Sequence, residues 1–335
     1  MASESNGESR RRRADSSDYL KHFAKASNPN NDPQDIEGQG WGQSFHFCRY
    51  PRGREPMAQA MARHEHFMAK RLEIKPGMKV LDVGCGIGGP AKEIATFTDC
   101  KVIGLNVNAH QIEVGKDFAK KEGVGEDVLE FVEADFMKLP FPDNTFDVVY
   151  VIEATVHAPS LVGVYTEIYR VLKPGGRFGV YEWVMMADKF DPGNPQHVYL
   201  RAGMERGNGI ACIRTSAEAS DAIKVAGFTL EVAENLAEHE DPLPWWYFCD
   251  GETKYAQSVA DWFRVVRMTK PGRVGLDIVI RLLELAGVAR KGTAKMAKEM
   301  IHGGDCIAEA GKQHMFTPMY FMLGLKPANR AADGN

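Results

Sequence analysis

The sequence has no CxxC pair and no Cys/His cluster at metal-ligand spacing. Its six cysteines, Cys48, Cys85, Cys100, Cys212, Cys249 and Cys306, are scattered over 335 residues. That scatter excludes a zinc ribbon or a disulfide framework, predicts no metal site, and fits reduced thiols in the cytosol. No apolar run is long enough to cross a bilayer, and the first forty residues carry no secretory signal, so any membrane contact is expected to be peripheral. A basic excess is missing too. With 41 Lys and Arg against 45 Asp and Glu, the formal charge is −4, which argues against nucleic acid as a partner. One basic run, Arg10–Arg13, stands in a Ser-, Asn- and Asp-rich tail too polar to pack, where it would suit an anionic surface. The chain shows no internal repeat.

What is present is an ordinary globular composition, 44% apolar and 26% charged, enough to bury a sizeable core. Order is expected from Trp41 onward, with a helix over 57–72 closed by Lys75-Pro76-Gly77. Then β-prone and helical runs alternate. Strands are predicted at 79–83, 101–105, 129–133, 146–151 and 177–183, with helices near 91–96, 111–122 and 164–172, the last stopped by Lys173-Pro174-Gly175-Gly176. This alternation predicts a parallel sheet covered by helices on both faces. Past Val184 the pattern loosens into turns, with a helix near 217–225, a return to the sheet over 228–236, and a mixed region with a last strand to Phe321.

The chemistry gathers at the strand ends. Asp82-Val83-Gly84-Cys85-Gly86-Ile87-Gly88-Gly89 lies between the first strand and the next helix, where glycines let the backbone turn sharply and approach a ligand. On its own that loop is equally a structural turn or a dinucleotide site. Asn106, about twenty residues later, is placed to meet ribose hydroxyls. Asp135 is placed to accept from an adenine amine, with Phe136 flanking the ring, or else to cap a turn.

Taken together these features resemble class I S-adenosylmethionine-dependent methyltransferases from about Lys79 to Trp183. The resemblance implies S-adenosyl-L-methionine as cofactor. It assigns to the cofactor Asp82, Gly84, Cys85, Gly86 and Gly88, then Asn106, Asn108 and Gln111, then Asp135, Phe136 and Glu153. Longer runs sharpen it: Gly42-Gln43-Ser44-Phe45-His46-Phe47, Arg63-His64-Glu65-His66-Phe67, Ile152-Glu153-Ala154-Thr155-Val156-His157-Ala158-Pro159, Tyr181-Glu182-Trp183-Val184-Met185 and Phe316-Thr317-Pro318-Met319. These are similar to the signature runs of the sterol C-24 methyltransferases over about Trp41 to Lys326. The implied fold is α/β: a Rossmann-like class I sheet with helices on both faces and a C-terminal α+β region of the sterol-methyltransferase type. The implied division is a disordered polar tail over 1–40, a methyltransferase core with an N-terminal helical cap over 41–236, a substrate-binding region over 237–327 and a tail over 328–335.

The reaction implied is attack of a sterol or triterpenoid side-chain alkene on the donor methyl group, which leaves a carbocation. Aromatic faces stabilise a cation without quenching it, and a carboxylate or imidazole must take the departing proton. Candidate aromatics are Trp41, Phe45, Phe47, Tyr50, Tyr181 and Trp183; candidate acids and bases are His64, His66, Glu153, His157 and Glu182. Tyr181 and Glu182 are favoured because they stand at the carboxyl end of strand five, and Glu153 and His157 because a spacing of four would put both on one helical face. Two runs depart from the family: the leader before Trp41 is short and polar, and Gly207-Asn208-Gly209-Ile210-Ala211 replaces a Gly-Asp-Gly-Ile-Pro run. They leave open a methyltransferase of another isoprenoid or phenolic lipid, or a lipid-binding protein that keeps the fold without turnover. The resemblance further implies peripheral contact with the cytoplasmic side of the endoplasmic reticulum or with lipid droplets, and a homo-oligomer.

Overall fold

The computed structural model describes residues 43–328. The expected tail over 1–40, the Arg10–Arg13 run, Trp41 and residues 329–335 lie outside them.

Helix α1 (Met57–Arg71) buries Met57, Ala60, Met61, His64, Glu65 and Met68, one face at helical period, and stops before Pro76. The core follows: β1 (Lys79–Val83), α2 (Gly89–Thr98), β2 (Lys101–Asn106), α3 (Ala109–Lys121), β3 (Leu129–Glu133), β4 (Phe146–Ile152), α4 (Leu161–Val171) and β5 (Leu172–Met185). After β5 come α5 (Pro195–Gly207), β6 (Arg214–Thr215), α6 (Ser216–Val225), β7 (Thr229–Asn235), α7 (Val259–Val266), α8 (Lys270–Leu285), α9 (Thr293–Lys312) and β8 (Phe316–Leu325). Helix α5 falls where turns are predicted from sequence. Its start was nonetheless written in the chain, because the Asn194 side chain caps the first turn and Pro195 occupies a position that needs no N–H.

The sheet runs β3-β2-β1-β4-β5-β8-β7, with β6 paired to the end of β5. The first five strands are parallel, as expected, but β8 is antiparallel to both β5 and β7. The reason is topological. Strand β7 ends at the carboxyl edge of the sheet, and β8 starts there, with Phe316 opposite Met185. A chain that leaves and rejoins one edge must reverse direction. Residues 236–315 therefore lie over the carboxyl edge, while β8, which belongs to the same C-terminal portion, is an interior strand of the main sheet. The Lys173–Gly176 run bulges out of β5, since Phe146 pairs with Leu172 but Val148 pairs with Arg177.

Alternation along the strands splits the core in two. Leu81, Val83, Val149 and Val151 join α4 and α6 on one face, and Val80, Val102, Val148 and Tyr150 join α1, α2 and α9 on the other. A third cluster, Cys48, Tyr50, Met57, Met61, Leu243, Tyr247 and Val265, ties the N-terminal segment to the excursion over the sheet edge.

Candidate active site

A cavity of about 340 Å³ opens at the carboxyl edge, where β1, β2 and β4 end. It lies at the point where the strand order turns from β2 on one side of β1 to β4 on the other, the place where open α/β sheets receive ligands. Asp82, Gly84, Cys85, Gly86, Asn106, Gln111, Phe136, Glu153 and His157 from the sequence reading all line it, together with Phe45.

The loop after β1 is held by backbone bonds: the N–H groups of Gly84 and Cys85 both donate to the Leu105 carbonyl, at 2.8 and 3.0 Å. Its glycines have separate jobs. At Gly84, φ is +84° and a Cβ would sit 2.3 Å from the Ala154 Cβ, so this glycine lets β1 and β4 close together. At Gly86, φ is +58° and a Cβ would meet nothing within 4 Å; the bare backbone faces the cavity. Gly88 does not line the cavity; a Cβ there would collide with the Phe131 ring at 2.4 Å, so it serves close packing at the N-cap of α2.

Asn106 donates to the Gly86 carbonyl at 3.3 Å and to Gln111 Oε1 at 2.6 Å, which fixes both amides beside the loop. Asn108 instead caps α3, accepting from the N–H groups of His110 and Gln111, and lies outside the lining. Asp135 accepts from the Met137 N–H at 2.8 Å, the turn role that sequence left as its alternative; Phe136, not Asp135, reaches the cavity.

Burial sets the electrostatics. Asp82 accepts from the Tyr150 hydroxyl at 3.0 Å, and burial pushes its carboxyl up to about 7. Glu153 sits in the left-handed region, φ +56°, on the turn after β4. It and His157 therefore do not share an α-helical face as the spacing of four suggested: a left-handed turn and a three-residue 3₁₀ segment, Thr155–His157, separate them, yet both still face the cavity. Glu153 uses both carboxylate oxygens. Oε1 accepts from the Phe47 N–H at 2.7 Å and Oε2 from the Trp183 indole N–H at 2.8 Å, while burial raises the group to about 8.

Tyr181 and Glu182 stand behind the cavity, not in its lining, because β5 runs three residues further, to Met185. Tyr181 stacks on His64 at 4.1 Å between ring centroids and donates its hydroxyl to the His64 carbonyl at 3.1 Å. His64 is buried outside the lining as well. Burial holds its imidazole well below the usual range, and its Nε2 has no hydrogen-bond partner among the described residues. Glu182 Oε2 accepts from the Tyr165 hydroxyl at 2.8 Å and from Thr155 in the turn that carries His157; its Oε1 has no partner among the described residues, and burial lifts the carboxyl to about 7. His66 lies against Phe97 and Glu93, and Tyr50 packs on Tyr247 in the third cluster.

His46 is a titratable lining residue that sequence reasoning passed over. Its Nδ1 is 2.7 Å from the Phe47 carbonyl and its Nε2 is 2.9 Å from Glu65 Oε1. The Phe47 carbonyl can only accept, so Nδ1 donates to it, and a carboxylate at Glu65 favours a proton on Nε2 as well. Burial works to lower its pKa, but the Glu65 carboxylate outweighs that and raises it. The available signal was Glu65, an acid on the buried face of α1 that had to have a partner. Beyond Glu153 the aromatics converge: Phe47 meets Trp183 at 5.8 Å and Trp245 at 5.2 Å, and Trp183 meets Phe316 at 5.4 Å.

Residues 81–180 match a family model described as methyltransferase domain, and residues 263–328 match one described as sterol methyltransferase C-terminal. The sterol 24-C-methyltransferase of Neurospora crassa is 52% identical over 88% of this chain and 77% of its own length. That of Aspergillus fumigatus is 49% identical over 94% of this chain and 81% of its own. The chain belongs to the sterol methyltransferase family.

Like its relatives, this sterol methyltransferase family member is an S-adenosylmethionine-dependent methyltransferase, with S-adenosylmethionine as its cofactor. Solved structures agree on the fold. The [4+2]-cyclase SpnF is 21% identical with a TM-score of 0.63, over 92% of this chain and 94% of its own. Geranyl diphosphate C-methyltransferase from Streptomyces coelicolor is 16% identical with a TM-score of 0.63, over 92% and 98%. The residues present fit a sulfonium nucleoside: a bare glycine backbone facing open space, a buried carboxyl at the end of β1, paired amides at the end of β2 and an aromatic ring after β3. Asp82, Gly86, Asn106, Gln111 and Phe136 would hold it.

Proposed function

We propose that this methyltransferase acts on the side-chain alkene of a sterol or related triterpenoid, at the carbon that sterol 24-C-methyltransferases methylate. The observation that carries the reading is Glu153: one carboxyl borders the cofactor cavity and grips both Phe47 and Trp183 in the aromatic cluster. The bound cofactor supplies an electrophilic methyl group. The faces of Phe47, Trp183 and Trp245 suit an alkene that becomes cationic as it is alkylated, because a ring face attracts positive charge without adding to it. Glu153, once ionised by positive charge in the cavity, offsets that charge, and a pKa of about 8 equips it to take the departing proton, with His157 beside it in the lining. Glu182, Tyr181 and His64 act as positioning residues, since each touches the elements that carry the lining rather than the cavity itself.

The altered Gly207–Ala211 run has a structural setting. Asn208 donates to the Met204 carbonyl at the end of α5, and Gly207 lies so close to α9 that a Cβ would come within 2.6 Å of the Gly303 Cα. The 237–327 portion we assign to acceptor binding, with Trp245 and Phe316 as its contribution. No helix among the described residues is long and apolar enough to cross a membrane, and we assign peripheral contact with the endoplasmic reticulum or lipid droplets.

The test is incubation of the full chain with methyl-labelled cofactor and a panel of sterols, triterpenes and phenolic lipids. Label on side-chain carbon of a sterol is the expected result. Label on oxygen of a phenol would overturn the alkene reading, and cofactor binding with no transfer to any lipid would point to a binding protein.

A further inference from the structure

The excursion over the sheet edge carries a surface that neither the cavity nor the core uses. Helix α8 buries none of its residues, yet its apolar positions are ordered: Val274, Ile278, Leu282 and Leu285 follow one another at helical spacing along one stripe, and all are exposed. Helix α7 adds Trp262 and Phe263, also exposed. A stripe of this kind is what a helix turns toward a core, and an apolar patch left open on a folded chain marks something that covers it.

The charge around it says what. Residues 259–300 hold nine Lys and Arg against four Asp and Glu, in a chain whose total is −4. Lys270, Arg290, Lys291, Lys295 and Lys298 are all exposed. A second copy of the chain would bring one basic rim against another, and like charges across an interface repel. A layer of anionic headgroups over acyl chains accepts both the apolar stripe and the cations.

We propose that residues 259–300, which comprise α7, α8 and the start of α9, form the face on which this protein docks onto an anionic lipid surface, with the Val274–Leu285 stripe and Trp262 and Phe263 entering the headgroup boundary and the lysines and arginines holding phosphate. The proposal rests on the peripheral contact assigned above and names the face that makes it. It also places the region that carries Trp245 against the phase where an insoluble acceptor resides.

The test is flotation of the full chain with sterol-free phosphatidylcholine vesicles, with and without about one third phosphatidylserine. Wild-type protein is expected to partition at least about tenfold more onto the anionic vesicles, less so at high salt. The double variants Ile278→Glu with Leu282→Glu, and Lys291→Glu with Lys295→Glu, change exposed side chains only, so cofactor affinity by calorimetry should stay within about twofold. Each should lose about tenfold in flotation. If wild type fails to float, peripheral contact and this face both fall. If wild type floats and the variants float equally, the contact stands and the face is wrong. If light scattering shows that Ile278→Glu with Leu282→Glu turns a dimer into a monomer without changing flotation, the stripe joins two copies and the proposal is overturned.

Discussion

The two sides of the cavity are built by opposite means. The cofactor side is local and made largely of backbone: the loop bonds of Gly84 and Cys85 to Leu105, the Asn106 bond to Gly86 twenty residues away, and Gln111 five residues further on. The side we propose for the acceptor is assembled from distant segments of the chain. Phe47 reaches Glu153 across 106 residues, and Arg49 anchors the same segment to Asp241 across 192. One side therefore fails first when backbone space is filled, whereas the other fails when a single atom loses its partner.

The largest expected effect tests the backbone side. Gly86→Arg puts a bulky cation where a Cβ meets only the cavity. Cofactor affinity should fall by more than about 100-fold, while the fold bears only the roughly 1–2 kcal/mol of a non-glycine residue at positive φ. Gly84→Val is its counterpart, because the new Cβ would lie 2.3 Å from Ala154; stability should fall by several kcal/mol before binding can be measured. Calorimetry with the cofactor and thermal melts of the free protein separate the two. Unchanged binding in Gly86→Arg would remove the loop from the cofactor site.

Next in size is the side-chain side. Glu153→Gln leaves a single acceptor oxygen for two donors, the Phe47 N–H and the Trp183 indole N–H, and removes the charge. We expect kcat at saturating cofactor to fall about 100-fold, about 2.7 kcal/mol at the transition state. Glu182→Gln gives the contrast. Its partners share Oε2, and Oε1 has none among the described residues, so an amide can keep both bonds; kcat should change no more than about threefold. Equal losses in the two variants would mean that carboxyl charge, not hydrogen-bond geometry, governs the acceptor side.

The same contrast explains what could be read from sequence. The βα alternation, the glycine loop and the strand-end polar residues are short-range patterns, and they placed β1 and β3 to the residue and put nine of the eleven lining positions named above in or beside the loops at the sheet edge. The direction of β8 was not legible, because it depends on where an excursion of many residues rejoins the sheet. Tyr181 and Glu182 were favoured by their position near the end of a strand, but strand alternation and the extension of β5 to Met185 turn them toward α1 and α4 instead. Asp135 and Asn108 carry the right residue types for ligand binding, and the backbone claimed them first as turn and cap. His46 escaped because its meaning lies in Glu65, on another element.

The smallest effect is a pH dependence, and it joins the two sides through Asp82 and Glu153. Burial has raised them to about 7 and about 8, so in the free protein the folded state favours their protonated forms. Their contribution to stability is fully present below the ordinary carboxylate range and is lost as pH climbs through about 7 to 8; raised His46 acts in the same direction, since its charged form is lost above its folded pKa. The free protein should therefore melt a few degrees lower at about pH 9 than at about pH 6. A positively charged donor reverses the preference by favouring the carboxylates, so its binding should release protons and strengthen as pH rises. Its demethylated product lacks the sulfonium charge. The affinity ratio of S-adenosylmethionine to S-adenosylhomocysteine is expected to grow by roughly tenfold between about pH 6 and pH 8, as calorimetry in buffers of different ionisation enthalpy would read. A flat ratio would mean that the sulfonium sits away from both carboxyls, and would separate the cofactor side of the cavity from Glu153.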